Sequence, residues 1–187
     1  MSKQGVTSPD AFKPDSGVKR TRLREFQTQL VERMQAAQRG GMVITNQLGI
    51  LAGQQRYLLD LREAGEIVSL GGLTDVPLTR DWYVGLANIR GNLTSVIDLP
   101  RFQGKERVPQ ESACRIVAFA PALAFNGGLL VSQVLGLRNI HDMQETAGQE
   151  AAHPWLPRSF TDRDGHLWHE LSLVALVQDQ AFLHIGV

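Results

Sequence analysis

After Gly41 the chain consists of short apolar runs, several of them rich in β-branched residues, with turn residues between them. The runs predict strands at 56–61, 66–70, 93–99, 115–119 and 129–134. Glycine and asparagine clusters such as Gly71-Gly72 and Asn126-Gly127-Gly128 mark the turns. Because no helix of comparable length lies between successive strands, the pattern argues against a parallel βαβ sheet. It favours small antiparallel barrels or a sandwich.

The first 41 residues have a different pattern. Residues 1–17 are polar and contain two prolines, which indicates a disordered lead. In 18–39, apolar residues recur at spacings of three and four and predict one face of an amphipathic helix: Leu23, Phe26, Leu30, Met34 and Ala37. Gly40-Gly41 ends the helix. We therefore predict a lead plus helix over 1–41 and the main domain over 42–187.

A faint internal repeat is visible within the main domain. Residues 91–99 can be laid over residues 165–173, with glycine and two leucines matching and Asp98 facing Ser172. A true duplication would produce this similarity. So would any turn followed by a strand, because a glycine and alternating apolar residues are common there.

Composition is that of an ordinary globular protein, with 43% hydrophobic and 20% charged residues. The single cysteine, Cys114, excludes an internal disulfide and suits a reducing compartment. The amino terminus lacks the apolar core of a secretory signal. The longest apolar run, 117–125, is far below the roughly 20 residues that span a bilayer. We expect a cytoplasmic protein without membrane insertion.

Charge is unevenly distributed, although the net charge is zero. Up to Gly41 there are eight basic and four acidic residues, which leaves 11 basic and 15 acidic residues for the rest. The basic helix is either a solvated face or a contact for nucleic acid, an acidic partner or a membrane surface. A nucleic-acid-binding β-barrel therefore stays an alternative. Against it, the main domain is acidic and shows no aromatic and basic strand face for base stacking.

Motifs of catalysis are missing from the sequence. There is no phosphate-binding glycine loop and no G-x-S-x-G elbow. His166 and His169 lie near Glu170, but they sit three apart on a predicted strand and should point to opposite faces. Cys114 is expected to be a small buried hydrophobe. We predict no catalytic residue, no cofactor and no metal site; a hydrolase that uses His166 or His169 is the open alternative.

The most informative stretch is 85–99, GLANIRGNLTSVIDL. It resembles the signature of the CheW-like family, in which a glycine precedes an Asn-apolar-Arg-Gly turn and a strand ends in Val-Ile-Asp-Leu. Other segments resemble the family in the same order: Tyr57-Leu58-Leu59, Glu66-Ile67, Val76-Pro77 and 128–134. The resemblance covers about residue 45 to the end. It departs from the family at Ser95, usually proline, and at Ser132, usually aspartate.

The resemblance implies a mainly β fold of two SH3-like five-stranded barrels with a short C-terminal helix. It also implies a non-enzymatic adaptor that couples a methyl-accepting chemoreceptor to the regulatory domain of a CheA-type histidine kinase. Receptor contact would fall on Glu66, Gly85, Arg90 and Val131, with Asn88 and Gly91 shaping the turn. Two alternatives stay open: the glycines serve only backbone geometry, and Arg90 is an internal partner of Asp98 or Glu66.

The C-terminal part is similar to one branch of the family. Trp155, the segment 168–171 and Phe182 resemble the adaptor of type IV pilus twitching systems. We therefore expect a role in twitching motility, with a flagellar chemotaxis adaptor as the alternative.

Overall fold

Two hydrogen-bonded β-sheets make up most of the computed structural model, which describes residues 46–146 and 153–187. Sheet A has the order β10-β11-β12-β2-β1-β9, with β1 (Asn46–Ala52), β2 (Gln55–Asp60), β9 (Gln133–Asn139), β10 (Gln144–Glu145), β11 (Ser159–Thr161) and β12 (Leu167–Leu171). Sheet B has the order β3-β7-β8-β6-β5-β4, with β3 (Ala64–Ser69), β4 (Leu73–Thr74), β5 (Tyr83–Ile89), β6 (Asn92–Ile97), β7 (Arg115–Phe119) and β8 (Gly127–Val131). The helix predicted for 18–39 and the predicted boundary at residue 41 lie outside the described residues.

The helices of the described part are short. They are α1 (Leu99–Phe102), α2 (Leu173–Leu176) and α3 (Gln180–Leu183), with 3₁₀ turns at Pro121–Leu123 and Ile140–Asp142. Each α-helix is capped by an oxygen side chain that accepts a backbone N–H of the first turn. Asp98 caps α1 directly after β6, and Ser172 caps α2 directly after β12.

The two sheets have the same topology. The correspondence appears when six is added to each strand number of sheet B and the count returns to β1 after β12. Strands β3–β8 of sheet B then correspond to β9–β12, β1 and β2 of sheet A, in the same order of neighbours. The pairing directions also correspond, because β6–β8 and β12–β2 are the parallel pairs and all the others are antiparallel. The two segments of the predicted repeat, 91–99 and 165–173, occupy equivalent places in this scheme. Residues Asp98 and Ser172, which face each other when the two segments are aligned, both cap the helix that follows.

The mainly β fold with two sheets and few helices agrees with the prediction. Each hydrogen-bonded sheet has six strands rather than five, because the two-residue strands β4 and β10 extend one edge. The run 129–134 is two strands, since the chain turns at Ser132 between β8 and β9. The apolar pattern does not predict β1 and β5, nor the short strands β4, β10 and β11.

Sheet A is strongly curved. In sheet A, Arg138 of β9 lies 5.3 Å from the ring centre of Trp168 on β12. Three strand spacings separate these strands in the sheet order, about 14 Å in a flat sheet. Trp168, Leu58 and Phe160 form a small buried cluster inside this curve. The SH3-like barrel geometry stays a prediction.

The main core lies where both sheets and the short helices meet. Its largest members are aromatic: Trp82 stacks on Phe182 with ring centres 5.8 Å apart, and Phe102 packs edge-on against both. Trp155 is buried beside Phe102, and its Nε1 donates a hydrogen bond to Asp179. Within the described ranges, no helix combines the length and apolar character needed to cross a membrane.

Candidate functional site

The turn between β5 and β6 carries the residues singled out by the sequence. Ile89 and Asn92 are paired, so Arg90 and Gly91 form a two-residue turn. Both have positive φ, +50° and +89°, as a type I′ hairpin requires. The Asn88 side-chain oxygen accepts the Gly91 N–H at 2.8 Å. The turn holds Arg90 at the tip of the hairpin, in a left-handed conformation that non-glycine residues adopt infrequently.

Arg90 projects into solvent and pairs with Glu66 of β3. Its Nε lies 3.0 Å from Glu66 Oε2, and the two side chains are 79% and 43% exposed. Of the two internal partners considered for Arg90, Glu66 is thus the one it contacts, although on the surface. An exposed ion pair of this kind contributes about 0–1 kcal/mol to stability.

Asp98, the other candidate partner of Arg90, is buried and has a different role. One carboxylate oxygen accepts the Arg101 N–H at 3.0 Å, and the other accepts the Val108 N–H at 2.8 Å. Burial raises the pKa of Asp98, and the two backbone hydrogen bonds oppose this effect. The acid at the end of the Val-Ile-Asp-Leu motif therefore holds α1 and the following loop in place.

Exposed apolar side chains lie beside the charged pair. Leu93 pairs with Asn88 across the hairpin and is 64% exposed, and Ile67 follows Glu66 on β3 and is also exposed. Sequence patterning placed both residues inside predicted strands without separating exposed from buried positions. We refer to Glu66, Ile67, Asn88, Arg90 and Leu93 as the hairpin surface.

Gly85 is not part of the hairpin surface, and its predicted contact with a partner stays a prediction. It is buried at a bulge in β5, with a φ of +141°. A Cβ atom there would lie 2.6 Å from the Thr74 carbonyl oxygen of the adjacent strand β4. Gly85 therefore allows the backbones of β4 and β5 to approach each other.

Val131 is likewise not part of the hairpin surface, and its contact with a partner stays a prediction. It is fully buried at the end of β8, a strand in which every residue is buried. In this structure its side chain has no exposed surface for a partner to contact. Ser132, which follows it, accepts the Gly53 N–H with its side-chain oxygen at 3.1 Å.

The two histidines near the last strand have separate environments. His166 precedes β12 and hydrogen-bonds with Asp162 through Nδ1. His169 lies within β12, where its Nδ1 shares a 2.9 Å hydrogen bond with Ser159 Oγ and its ring packs against Tyr57. Burial lowers the pKa of His169, and the nearby Lys105 lowers it further.

This pKa shift predicts a loss of stability in mild acid. The unfolded chain takes up a proton on His169 near pH 6.5, whereas the folded protein does so only at lower pH. Stability should therefore fall as the pH is lowered from about 7 through 6.5 towards the folded pKa. We expect His169→Gln to reduce the drop in urea midpoint between about pH 7.5 and pH 5.5. The same change at the exposed His184 is the control, and a His169→Gln profile parallel to the wild type would contradict the assignment.

One group of side chains in the described residues has the proximity of metal ligands: Asp162, Asp164 and His166, whose donor atoms lie within 4.8 Å of one another. The Asp162 carboxylate is already engaged by hydrogen bonds from Trp168 Nε1 and from the Asp164 and His166 backbone. Burial acts to raise the pKa of Asp162, but these hydrogen bonds together lower it to about 2. The cluster is explained as a turn that anchors Trp168.

Comparisons with known proteins agree on one family. The family model of the CheW-like domain matches residues 47–181. Protein PilI of Pseudomonas aeruginosa is 28% identical over 146 residues, which cover 75% of this chain and 79% of that protein. The crystal structure of the scaffolding protein TtCheW from Thermoanaerobacter tengcongensis superimposes with a TM-score of 0.57 at 21% identity. That match covers 70% of this chain and 90% of the other.

Proposed function

The chain belongs to the CheW-like domain family, and on that premise we propose that it is a cytoplasmic, non-enzymatic adaptor that couples a methyl-accepting chemoreceptor to a CheA-type histidine kinase. The adaptor acts by binding two partners with different parts of one folded body. A rearrangement of the receptor then changes the geometry of the kinase through a shared scaffold, as an energetic coupling between two binding sites.

We assign the receptor contact to the hairpin surface. The observation that carries this assignment is Arg90, an exposed arginine in a left-handed turn position where glycine or asparagine would fit with less strain. The surface ion pair of Arg90 adds little to the stability of the fold, so the side chain is available to bind a partner. A guanidinium offers five donors in a planar fork, which suits carboxylates and backbone carbonyls of a receptor helix. The neighbouring Leu93 and Ile67 add apolar area to the same contact.

The test is Arg90→Ala in the full chain. We expect its free energy of unfolding to stay within about 0.5 kcal/mol of the wild type, because the site is on the surface. We expect binding to the cytoplasmic tip of the receptor to weaken by at least about tenfold, as for an interface residue worth more than 1 kcal/mol. Affinity for the regulatory domain of the kinase should be largely kept. Calorimetric unfolding and titration calorimetry with each partner measure these quantities.

Arg163→Ala is the matched control, because Arg163 is 81% exposed and forms a surface ion pair with Asp142. It should leave both affinities unchanged. An Arg90→Ala protein that melts many degrees lower, or that binds receptor as the wild type does, would overturn the assignment of Arg90. Loss of both partners together would argue against separate binding sites.

We further propose that the adaptor serves twitching motility by type IV pili rather than flagellar chemotaxis. The similarity to Protein PilI over three quarters of the chain supports this pathway, as do the C-terminal tryptophans Trp155 and Trp168. Deletion of the gene should reduce the twitching zone on agar and leave swimming intact. The opposite outcome would favour the flagellar alternative while keeping the adaptor role.

A further inference from the structure

A cleft at one end of sheet A has an unusual polar lining. Gln47 of β1 and Asp60 of β2 are paired across the sheet, and Glu170 lies on β12, the other neighbour of β2. Arg158, just before β11, and Glu63, just after β2, complete the charged lining. The cleft has a volume of about 390 Å³, at the small end of the range of about 300–1,000 Å³ for ligand pockets. We call it the Gln47 cleft.

The hydrogen bonds of the cleft leave an acceptor without a donor. Gln47 is only 6% exposed, and its Nε2 donates to Glu170 Oε1 at 3.3 Å. Its Oε1 has no hydrogen-bond partner among the residues that the structure describes. Exchanging the amide oxygen and nitrogen would bring the oxygen against the Glu170 carboxylate, so the orientation is fixed by its neighbour. A buried carbonyl of this kind costs about 1–3 kcal/mol when it lacks a donor.

The carboxylates of the cleft have unused capacity as well. Glu63 caps the start of α2 with Oε2 alone, at 2.6 Å from the Leu173 nitrogen, and its Oε1 accepts nothing within the described residues. Glu170 is held by Arg158 through two hydrogen bonds of 2.7 and 3.0 Å, which engage the arginine of the cleft. Asp60 is paired with Arg62, whose Nη2 lies 2.6 Å from Asp60 Oδ2. Glu63 is therefore the carboxylate of the cleft without an ion-pair partner among the described residues, and the unmatched polar atoms that we identify here are acceptors.

We propose that the Gln47 cleft binds a cationic N–H donor, a guanidinium or a primary ammonium group. The donor bonds to Gln47 Oε1 and Glu63 Oε1, and the excess negative charge of the cleft compensates its charge. A hydrogen bond between a charged donor and a neutral acceptor is among the stronger ones in proteins. The cleft lies on sheet A, whereas the hairpin surface lies on sheet B, so this site is distinct from the one assigned to the receptor. The source of the cation is either the side chain of a partner protein or a free small amine.

The experiment is an NMR titration of the full chain, observed at the backbone amides of the residues that line the cleft and, where Gln47 is present, at its side-chain amide. The probes are Nα-acetyl-arginine methylamide, n-butylamine, and Nα-acetyl-citrulline methylamide as the neutral counterpart of arginine. We expect saturable binding of a cation with a dissociation constant of about 1 mM or tighter. The citrulline compound should bind at least about tenfold more weakly, since it lacks the charge. Equal binding of arginine and citrulline, or no saturable shift with any probe, would overturn the proposal.

Two variants test the residues. Gln47→Met removes the orphaned acceptor, and we expect at least about tenfold weaker binding. Glu63→Gln keeps an oxygen to cap α2 while removing the charge, and it should also weaken binding; Glu111→Gln, an exposed acid outside the cleft, should not. If Gln47→Met does not fold, the affinity of Glu63→Gln and the comparison of charged with neutral probes still test the cation site. Unchanged affinity in Glu63→Gln and in a folded Gln47→Met protein would mean that the cleft holds only water.

A capped peptide, Gly-Ser-Arg-Ser-Gly, separates the two sources. Tighter binding of the peptide than of the single arginine derivative assigns the cleft to a basic side chain of a partner protein. Binding of n-butylamine with exclusion of the peptide assigns it to a free amine. Both results support the cation site, and neither depends on whether Arg90 binds a receptor.

Discussion

Gly85→Ala is expected to lower the free energy of unfolding by about 2–6 kcal/mol, the combined cost of overpacking and of an unfavourable φ. The added methyl group would lie 2.6 Å from the Thr74 carbonyl oxygen and 3.2 Å from the Thr74 carbonyl carbon. These are backbone atoms of β4, so no side chain can rotate away to make room. The φ of +141° adds strain, because it is a conformation that side-chain-bearing residues rarely adopt.

Two other glycines separate these two costs. Gly91 has a φ of +89°, and an added methyl group there would have nothing within 4 Å; Gly72 has the same open space and no positive φ. Urea unfolding should therefore order the alanine variants, with Gly72→Ala near the wild type, Gly91→Ala lower by about 1–3 kcal/mol and Gly85→Ala lowest. If Gly85→Ala were no less stable than Gly91→Ala, the contact with β4 would not constrain the fold.

The same variant distinguishes a structural role from a binding role. If Gly85 acts through the fold, receptor binding by Gly85→Ala should be lost in proportion to the fraction of unfolded protein. Affinity per folded molecule, measured at low temperature where more of the variant is folded, should remain close to that of the wild type. A folded variant that has lost affinity for the receptor would indicate that Gly85 belongs to the receptor contact.

Features that depend on neighbouring residues were predictable from the sequence. The turn at Arg90 follows from Asn88 and Gly91, because an asparagine oxygen and a glycine with positive φ are sufficient to form it. The strands with continuous apolar runs, such as β7, were found for the same reason. Strand β1 was not found, since Gly49 interrupts its apolar residues where Trp168 and Arg138 pack closely against the backbone.

Features that depend on distant residues could not be predicted in this way. The choice of Glu66 over Asp98 as the partner of Arg90 depends on long-range structure, because Glu66 lies on β3, which is not a neighbour of β5 or β6 in the strand order. Val131 illustrates the same limit. Its strand lies between β6 and β7 and is buried throughout, so an apolar residue near the motif is core rather than surface. The cleft at Gln47 joins residues 123 positions apart, and no local pattern signals it.

The repeat is where weak local similarity and long-range topology agree. Three identical positions in nine residues do not separate duplication from an ordinary turn and strand. The equivalent strand orders of the two sheets now favour duplication, because the matched segments also occupy matched places. Asp98 and Ser172 keep the same capping role in the two halves although the residue type differs. Comparing the contributions of Asp98 and Ser172 to stability therefore tests how much a carboxylate adds beyond a hydroxyl cap.

Asp98→Ala is expected to cost about 1.5–5 kcal/mol of stability, the second of the large effects. Loss of the cap on α1 accounts for about 0.5–2 kcal/mol. The Val108 N–H, which donates to the second carboxylate oxygen at 2.8 Å, would be left buried without an acceptor, at a cost of about 1–3 kcal/mol. Ser172→Ala removes only one side-chain cap, from the Ala175 N–H, and should cost about 0.5–2 kcal/mol.

Urea denaturation of both variants measures the difference between their losses of stability. Receptor binding then shows whether Asp98 acts through the fold or in the binding surface. Because Asp98 is buried and both its carboxylate oxygens accept backbone hydrogen bonds, Asp98→Ala should bind receptor normally per folded molecule, in contrast to Arg90→Ala. A cost for Asp98→Ala no larger than that for Ser172→Ala would mean that the bond to Val108 contributes nothing. A stable Asp98→Ala protein with lost receptor affinity would place the acid of the motif in the binding surface, against the burial of its side chain.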